Sequence, residues 1–136
     1  REEVLYETYA KTINIEALTM IDMASRQIIP AVVRYTKSLA DTVIAVKGAG
    51  ADASVQAKLL DQVSSGLAQT KTALEKLQKA VEEAGAMQEG KEQAFFYKNV
   101  VCTAMEDLRR PVDRLEMIVE KEAWPYPTYG DLMFEV

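Results

Sequence analysis

The sequence predicts an all-α fold: a long, antiparallel, up-down-up three-helix bundle with a non-helical C-terminal tail rich in proline and aromatic residues. Apolar residues recur at alternating spacings of three and four over most of the 136 residues, which is typical of amphipathic helices. Two glycine-containing breaks divide this pattern into three segments. Because both breaks are short, neighbouring helices should be antiparallel.

The first predicted helix covers residues 3–47. Pro30 lacks an N–H group and crowds the preceding turn, so a kink is expected near Arg26–Pro30. The apolar pattern continues in phase on both sides, which favours one bent helix. The stretch "KGAGAD" should end it, with Gly48 or Gly50 as the left-handed stop and Asp52 as the cap of the next helix. The predicted buried seam is Tyr6, Ala10, Ile13, Ala17, Met20, Ala24, Ile28, Val32, Tyr35, Leu39, Val43 and Val46.

The second predicted helix covers residues 53–85 and has the cleanest amphipathic pattern in the chain. Its outer face consists of Gln, Lys, Glu and Ser. Gly66 lies off the seam and should weaken the helix locally. The predicted seam is Val55, Leu59, Val63, Leu67, Thr70, Leu74, Leu77, Val81 and Ala84.

The third predicted helix covers residues 91–123, and Pro111 predicts a bend within it. The tail, residues 124–136, leaves the helical pattern because Pro125 and Pro127 are incompatible with it. The predicted seam of this helix is Tyr97, Val101, Ala104, Leu108, Val112, Leu115 and Val119.

Length and composition predict a single helical domain over residues 1–136. The formal net charge is −5, and Lys and Arg are scattered, which argues against binding to nucleic acid or to an anionic membrane. One cysteine, Cys102, excludes an intrachain disulfide and fits a cytoplasmic setting. Since the chain opens without Met directly on a helical pattern, we expect it to be a fragment of a longer protein.

Catalytic chemistry has no visible basis in the sequence. There is no histidine, which removes the commonest general base and metal ligand. No glycine-rich phosphate loop follows a strand, and the glutamates fall off the seams. Cys102 has no histidine to activate it and is expected to be a buried or boundary thiol. The sequence therefore predicts no catalytic, cofactor-binding or metal-binding residue in this chain.

The segment "KTINIEALTMIDMASRQIIPAVVRY" has more apolar residues than one seam can bury. Two explanations stay open: the tail folds back over this face, or the face docks another domain or subunit. We expect the surplus residues to form one apolar surface with the aromatic residues of the tail. The interface candidates are Ile15, Leu18, Met23, Trp124, Tyr126 and Phe134.

Two stretches, "YAKTINIEALTMIDMASRQIIPAV" and "LEMIVEKEAWPYPTYGDLMFEV", resemble the C-terminal region of type III glutamine synthetases, the large bacterial form. The resemblance implies a cytoplasmic parent enzyme that joins ammonia to glutamate with ATP and Mg²⁺ or Mn²⁺. It also implies assembly into large homo-oligomers, with the catalytic residues upstream of this region. This chain would then be a non-catalytic extension with a structural and assembly role, whose partners are the catalytic domain and neighbouring subunits.

Two other functional classes remain open. One is a free-standing helical protein-interaction module, which the pattern of the second helix alone would suit. The other is a helical-bundle enzyme or metal carrier, which the lack of histidine disfavours.

Overall fold

The computed structural model describes residues 2–127, and these residues contain helices and no strand. The α-helices are α1 (Glu2–Met23), α2 (Ile29–Gly48), α3 (Ser54–Ala86), α4 (Lys91–Phe96) and α5 (Cys102–Ile118), followed by a 3₁₀ turn at Lys121–Ala123. A π-helical turn joins α1 to α2 and another joins α4 to α5. The result is three continuous helical rods: rod one (residues 2–48), rod two (residues 54–86) and rod three (residues 91–118). None of these helices is long and apolar enough to cross a bilayer.

The break between rods one and two is a Schellman motif, in which a left-handed residue ends the helix. Gly50, with φ of 78°, is that residue. The N–H of Ala51 donates to the carbonyl of Val46 at 3.1 Å, and the N–H of Gly50 donates to that of Lys47 at 3.0 Å. The predicted stop is therefore confirmed at Gly50.

Asp52 hydrogen-bonds to the first residue of rod two but is not its N-cap. The N-cap position is Ala53, which has no side-chain cap hydrogen bond, so the predicted cap is one residue out. The Oδ1 atom of Asp52 accepts a hydrogen bond of 3.0 Å from the backbone N–H of Ser54. Hydrogen bonds from Ser54 hold the pKa of Asp52 below its usual value, because they favour the ionised carboxylate.

The break between rods two and three is closed by a buried glutamine. The Nε2 atom of Gln93 donates to the carbonyl of Ala84 at 2.9 Å and to that of Met87 at 3.3 Å. These carbonyls lie in the last turn of rod two and at the residue after it, where i+4 backbone partners run out. The Ala84 carbonyl also accepts from the backbone N–H of Met87 at 3.2 Å. Gln93 therefore ties the start of rod three to the end of rod two.

Both π turns replace a regular α-helical turn within a rod. In the first, Ala24–Ile28, the N–H of Ile29 donates to the carbonyl of Ala24, five residues back. It ends two residues before Pro30, within the region where a kink was predicted. The second π turn, Tyr97–Val101, has no proline near it and was not predicted. Pro111, in contrast, lies inside the continuous α-helix α5.

The buried side chains form two clusters along the rods. The first cluster combines three alanines of rod one with both small and large residues of rods two and three: Ala10, Ala17, Ala24, Ala73, Leu74, Leu77, Ala80, Ala84, Tyr97, Val101, Ala104, Met105 and Leu108. The second cluster, beyond the first π turn, consists of Ile28, Val32, Leu39, Val63, Leu115, Val119 and Trp124.

The predicted seams are buried or half-buried at every position except Val55, which is 68% exposed. Val55 was included because the apolar pattern continues into the first turn of α3. Ala53, in the preceding loop, is the buried residue at this end of the rod.

Rods two and three approach closely at Gly66. A Cβ atom on Gly66 would lie 2.7 Å from Cδ2 of Leu115, which is fully buried. Thr70, also fully buried, donates its hydroxyl to the Gly66 carbonyl at 2.8 Å. Gly66 therefore lowers the helix propensity of α3 and also allows rods two and three to pack closely.

Candidate interface

Two of the exposed apolar side chains of rod one, Ile15 and Leu18, point away from the core. The residues of α1 that are buried are alanines, Ala10 and Ala17. In contrast, Ile15 is 64% exposed and Leu18 is 48% exposed. Because they are three residues apart on a regular helix, Ile15 and Leu18 lie on the same face. The structure thus leaves this part of the predicted interface uncovered within residues 2–127.

Two ion pairs lie on either side of these apolar residues along the helix. The Nζ atom of Lys11 lies 3.0 Å from Oε1 of Glu7, and Nη1 of Arg26 lies 3.7 Å from Oδ1 of Asp22. The hydrogen bond and charge of Glu7 raise the pKa of Lys11. Glu7 is partly exposed and the other three side chains are largely exposed, so the pairs contribute little to stability and leave charges available to a partner.

Met23 occupies a different position from Ile15 and Leu18. It is half-buried and lines a groove of about 310 Å³ between rods one and three, together with Met20, Leu108 and Val112. The Nη2 atom of Arg109 lies 3.8 Å from the Sδ atom of Met20 at this groove.

The described start of the tail folds back onto the second cluster. Trp124 is 7% exposed and belongs to the cluster, and Tyr126 packs against it. The hydroxyl of Tyr126 is buried and has no hydrogen-bond partner among residues 2–127. Burial and, to a lesser degree, the carboxylate of Asp22 raise the pKa of Tyr126. Phe134 lies outside the described residues.

The structure therefore separates the candidates that the sequence grouped together. Ile15 and Leu18 share one exposed face, whereas Trp124 is buried in the core and Tyr126 packs against it. The first explanation for the surplus apolar residues holds near Ile28, where the start of the tail packs against rod one. Within residues 2–127 the tail does not cover Ile15 and Leu18, which stay exposed.

A second concave surface, not predicted from the sequence, lies between rods two and three. This groove of about 590 Å³ includes Gly66, Leu115 and Met117. Met117 is 85% exposed, and Nη2 of Arg114 donates to Oε1 of Gln69 across the rods at 2.9 Å. The sequence feature that could have indicated this surface is Gly66, because a glycine in the middle of a strong helix often has a packing role.

Reactive groups are sparse in the described part of the chain. No group of three or more His, Cys, Asp and Glu side chains within residues 2–127 is placed to hold a metal ion. Cys102 is half-buried, and its Sγ atom lies 4.0 Å from the hydroxyl of Tyr9. Burial and this hydrogen bond raise the pKa of Tyr9. These groups do not converge on a site for acid–base chemistry.

Comparison with known proteins gives one family. The family model described as the glutamine synthetase C-terminal domain matches residues 1–47, which correspond to rod one. The chain is 31% identical over 138 residues to glutamine synthetase of Butyrivibrio fibrisolvens, covering 100% of this chain and 20% of the relative. It is 28% identical to glutamine synthetase of Bacteroides fragilis (strain YCH46) and 28% identical to type-3 glutamine synthetase of Dictyostelium discoideum, each over 98% of this chain and 19% of the relative. The chain thus spans about a fifth of the length of these relatives.

Proposed function

This chain is similar along its whole length to the C-terminal region of type III glutamine synthetases, and from that premise we propose that it is a helical assembly domain of such an enzyme. Its role is structural: it docks on the catalytic part of its own parent chain and on neighbouring subunits. The exposed face of α1 around Ile15 and Leu18 is the docking surface.

The single observation that supports this role is the distribution of side chains on rod one. Its buried residues in α1 are alanines, while Ile15 and Leu18 are exposed on the opposite face. Burying a large aliphatic side chain stabilises a complex by about 1.5–3 kcal/mol. The same rod is the segment that the family model matches. A rod that uses both faces, one for its own core and one for a partner, explains this pattern.

The up-down-up arrangement is part of the proposal, and contacts between the rods support it. The hydroxyl of Tyr97 donates to Oδ1 of Asn14 at 3.3 Å, and Arg109 contacts Met20. Rods one and three therefore run in the same direction. Rod two runs the other way, since its end at Ala84 joins the cluster that contains Ala10, and Val63 joins the cluster of Val32.

The parent reaction is the ATP-dependent ligation of ammonia to glutamate with Mg²⁺ or Mn²⁺ in the cytoplasm. Residues 2–127 do not fit a role in holding the metal ions, because no cluster of three or more candidate metal ligands is present among them. We therefore assign ATP, the metal ions and the catalytic steps to the rest of the parent chain.

The experiment is a charge substitution on the proposed docking face of the full-length parent. Leu18→Glu should disrupt the assembled oligomer, measured by mass photometry, while the isolated chain keeps its helical content by circular dichroism. Val55→Glu is the matched control, because Val55 is also an aliphatic residue and is 68% exposed on rod two. An intact, fully active oligomer with Leu18→Glu would contradict the proposed docking face.

A further inference from the structure

We propose that one neighbour on this face is a second copy of the same chain, with the two α1 helices antiparallel about a twofold axis between Ile15 and Leu18. The inference rests on the proposed function, since it names one partner of the same surface. The order of charges along rod one supports it.

The surface consists of four side chains in a row: Lys11, Ile15, Leu18 and Asp22. Their spacings of four, three and four place them on one stripe of a regular helix. Ile15 and Leu18 are 64% and 48% exposed, and the side chains of Lys11 and Asp22 are 71% and 58% exposed. Both apolar residues therefore lie between two accessible charges of opposite sign.

An antiparallel pair of such stripes matches apolar to apolar and charge to countercharge. When Ile15 of one copy faces Leu18 of the other, Lys11 faces Asp22 at both ends of the contact. One turn further out, Glu7 faces Arg26, again with opposite charges. The intrahelical pairs Glu7–Lys11 and Asp22–Arg26 thus become two four-charge clusters at the ends of the interface.

The parallel arrangement is disfavoured by the same charges. In that register, Lys11 would face Lys11 and Asp22 would face Asp22, and like charges across an interface oppose association. Polar residues at positions of this kind specify register and orientation at a cost in stability. We therefore infer a specific but weak contact, which would add to other contacts in a larger assembly through multivalency.

The test uses the 136-residue chain and sedimentation equilibrium over a range of concentrations. The unaltered chain should form a dimer. Lys11→Asp places Asp against Asp22 of the second copy, and Asp22→Lys places Lys against Lys11. Each single change should weaken the dimer by about tenfold or more, as expected for like charges across a contact. An equimolar mixture of the two variants should restore association, because every contact then joins Asp to Lys.

Lys58→Asp, an exposed charge reversal on rod two, is the matched control and should leave the dimer unchanged. Circular dichroism checks helical content, since Lys11→Asp also removes the pairing with Glu7. A chain that stays monomeric at all concentrations, single variants that associate normally, or a mixture that fails to associate would each overturn the proposal. Disruption of the parent assembly by Leu18→Glu would still support the proposed function in that case, with another partner on this face.

Discussion

At the residue scale, Gly66 is a point where rods two and three approach closely, since a Cβ atom there would lie 2.7 Å from Cδ2 of Leu115. Its low helix propensity is a local property and was predicted from the sequence. Its close approach to Leu115 depends on a residue in another rod, so no local pattern could indicate it. In contrast, Gly50 acts within a few residues of its own position, and its role as the helix stop was predicted correctly. Asp52 also acts locally, by accepting from Ser54, but the N-cap position falls on Ala53.

We predict opposite effects of alanine at two glycines of α3. In Gly66→Ala, the new Cβ would lie 2.7 Å from Cδ2 and 3.1 Å from Cγ of the buried Leu115. Overpacking costs about 1–3 kcal/mol, and the gain in helix propensity of about 1 kcal/mol offsets only part of it. A Cβ atom on Gly85 would have no such neighbour within 4 Å among the described residues, so Gly85→Ala should be stabilising.

Urea denaturation of both variants measures this difference in the free energy of unfolding. If Gly66→Ala stabilised the chain as much as Gly85→Ala, the side chain of Leu115 would have room to move, and the close packing of rods two and three at this point would be wrong.

At the element scale, the seams were predictable because helical periodicity alone decides which side chains share a face. Rods two and three begin within one residue of their predicted starts, and rod three ends five residues before the predicted boundary. The prediction that Val55 is part of the buried seam was wrong, because periodicity does not reveal where a neighbouring rod stops covering a helix. The π turn at Tyr97–Val101 was missed because no proline or glycine marks it.

We predict that substitutions on the buried and exposed faces of rod two differ in their effect on stability. Leu74 is fully buried in the first cluster, and Gln78, one turn along the same helix, is exposed. Leu74→Ala should lower the free energy of unfolding by about 2–5 kcal/mol, the range for emptying a packed leucine site. Gln78→Ala should be within about 0.5 kcal/mol of the unaltered chain. Equal losses for both variants in urea would show that the seam is misplaced.

At the scale of the whole molecule, the tail and the exposed face could not be predicted in detail. The sequence shows that α1 has surplus apolar residues and that the tail is aromatic, but it does not show which surfaces meet. The structure buries Trp124 in one cluster with Ile28 and Val32 and leaves Ile15 and Leu18 exposed. That outcome depends on where rod three ends, which is a property of the assembled rods.

The proposed structural role leads to a prediction for the isolated chain. Calorimetric titration with ATP and Mg²⁺ or Mn²⁺ should detect no stoichiometric binding, and the chain alone should not synthesise glutamine. The reason is that residues 2–127 lack a cluster of metal ligands and the sequence lacks a phosphate loop. A micromolar site of defined stoichiometry would contradict the structural role proposed for this domain.

The most direct test of the docking face is the reactivity of a cysteine at position 18 with a thiol reagent. Leu18→Cys, in a Cys102→Ser background, is labelled in the isolated chain at a concentration low enough to keep it monomeric, and in the assembled parent. We predict that assembly slows labelling at position 18 by about tenfold or more, as expected for a buried interface position. Val55→Cys, the matched control on rod two, should react equally fast in both. Equal labelling rates at position 18 in the isolated chain and the parent would contradict the docking of this face.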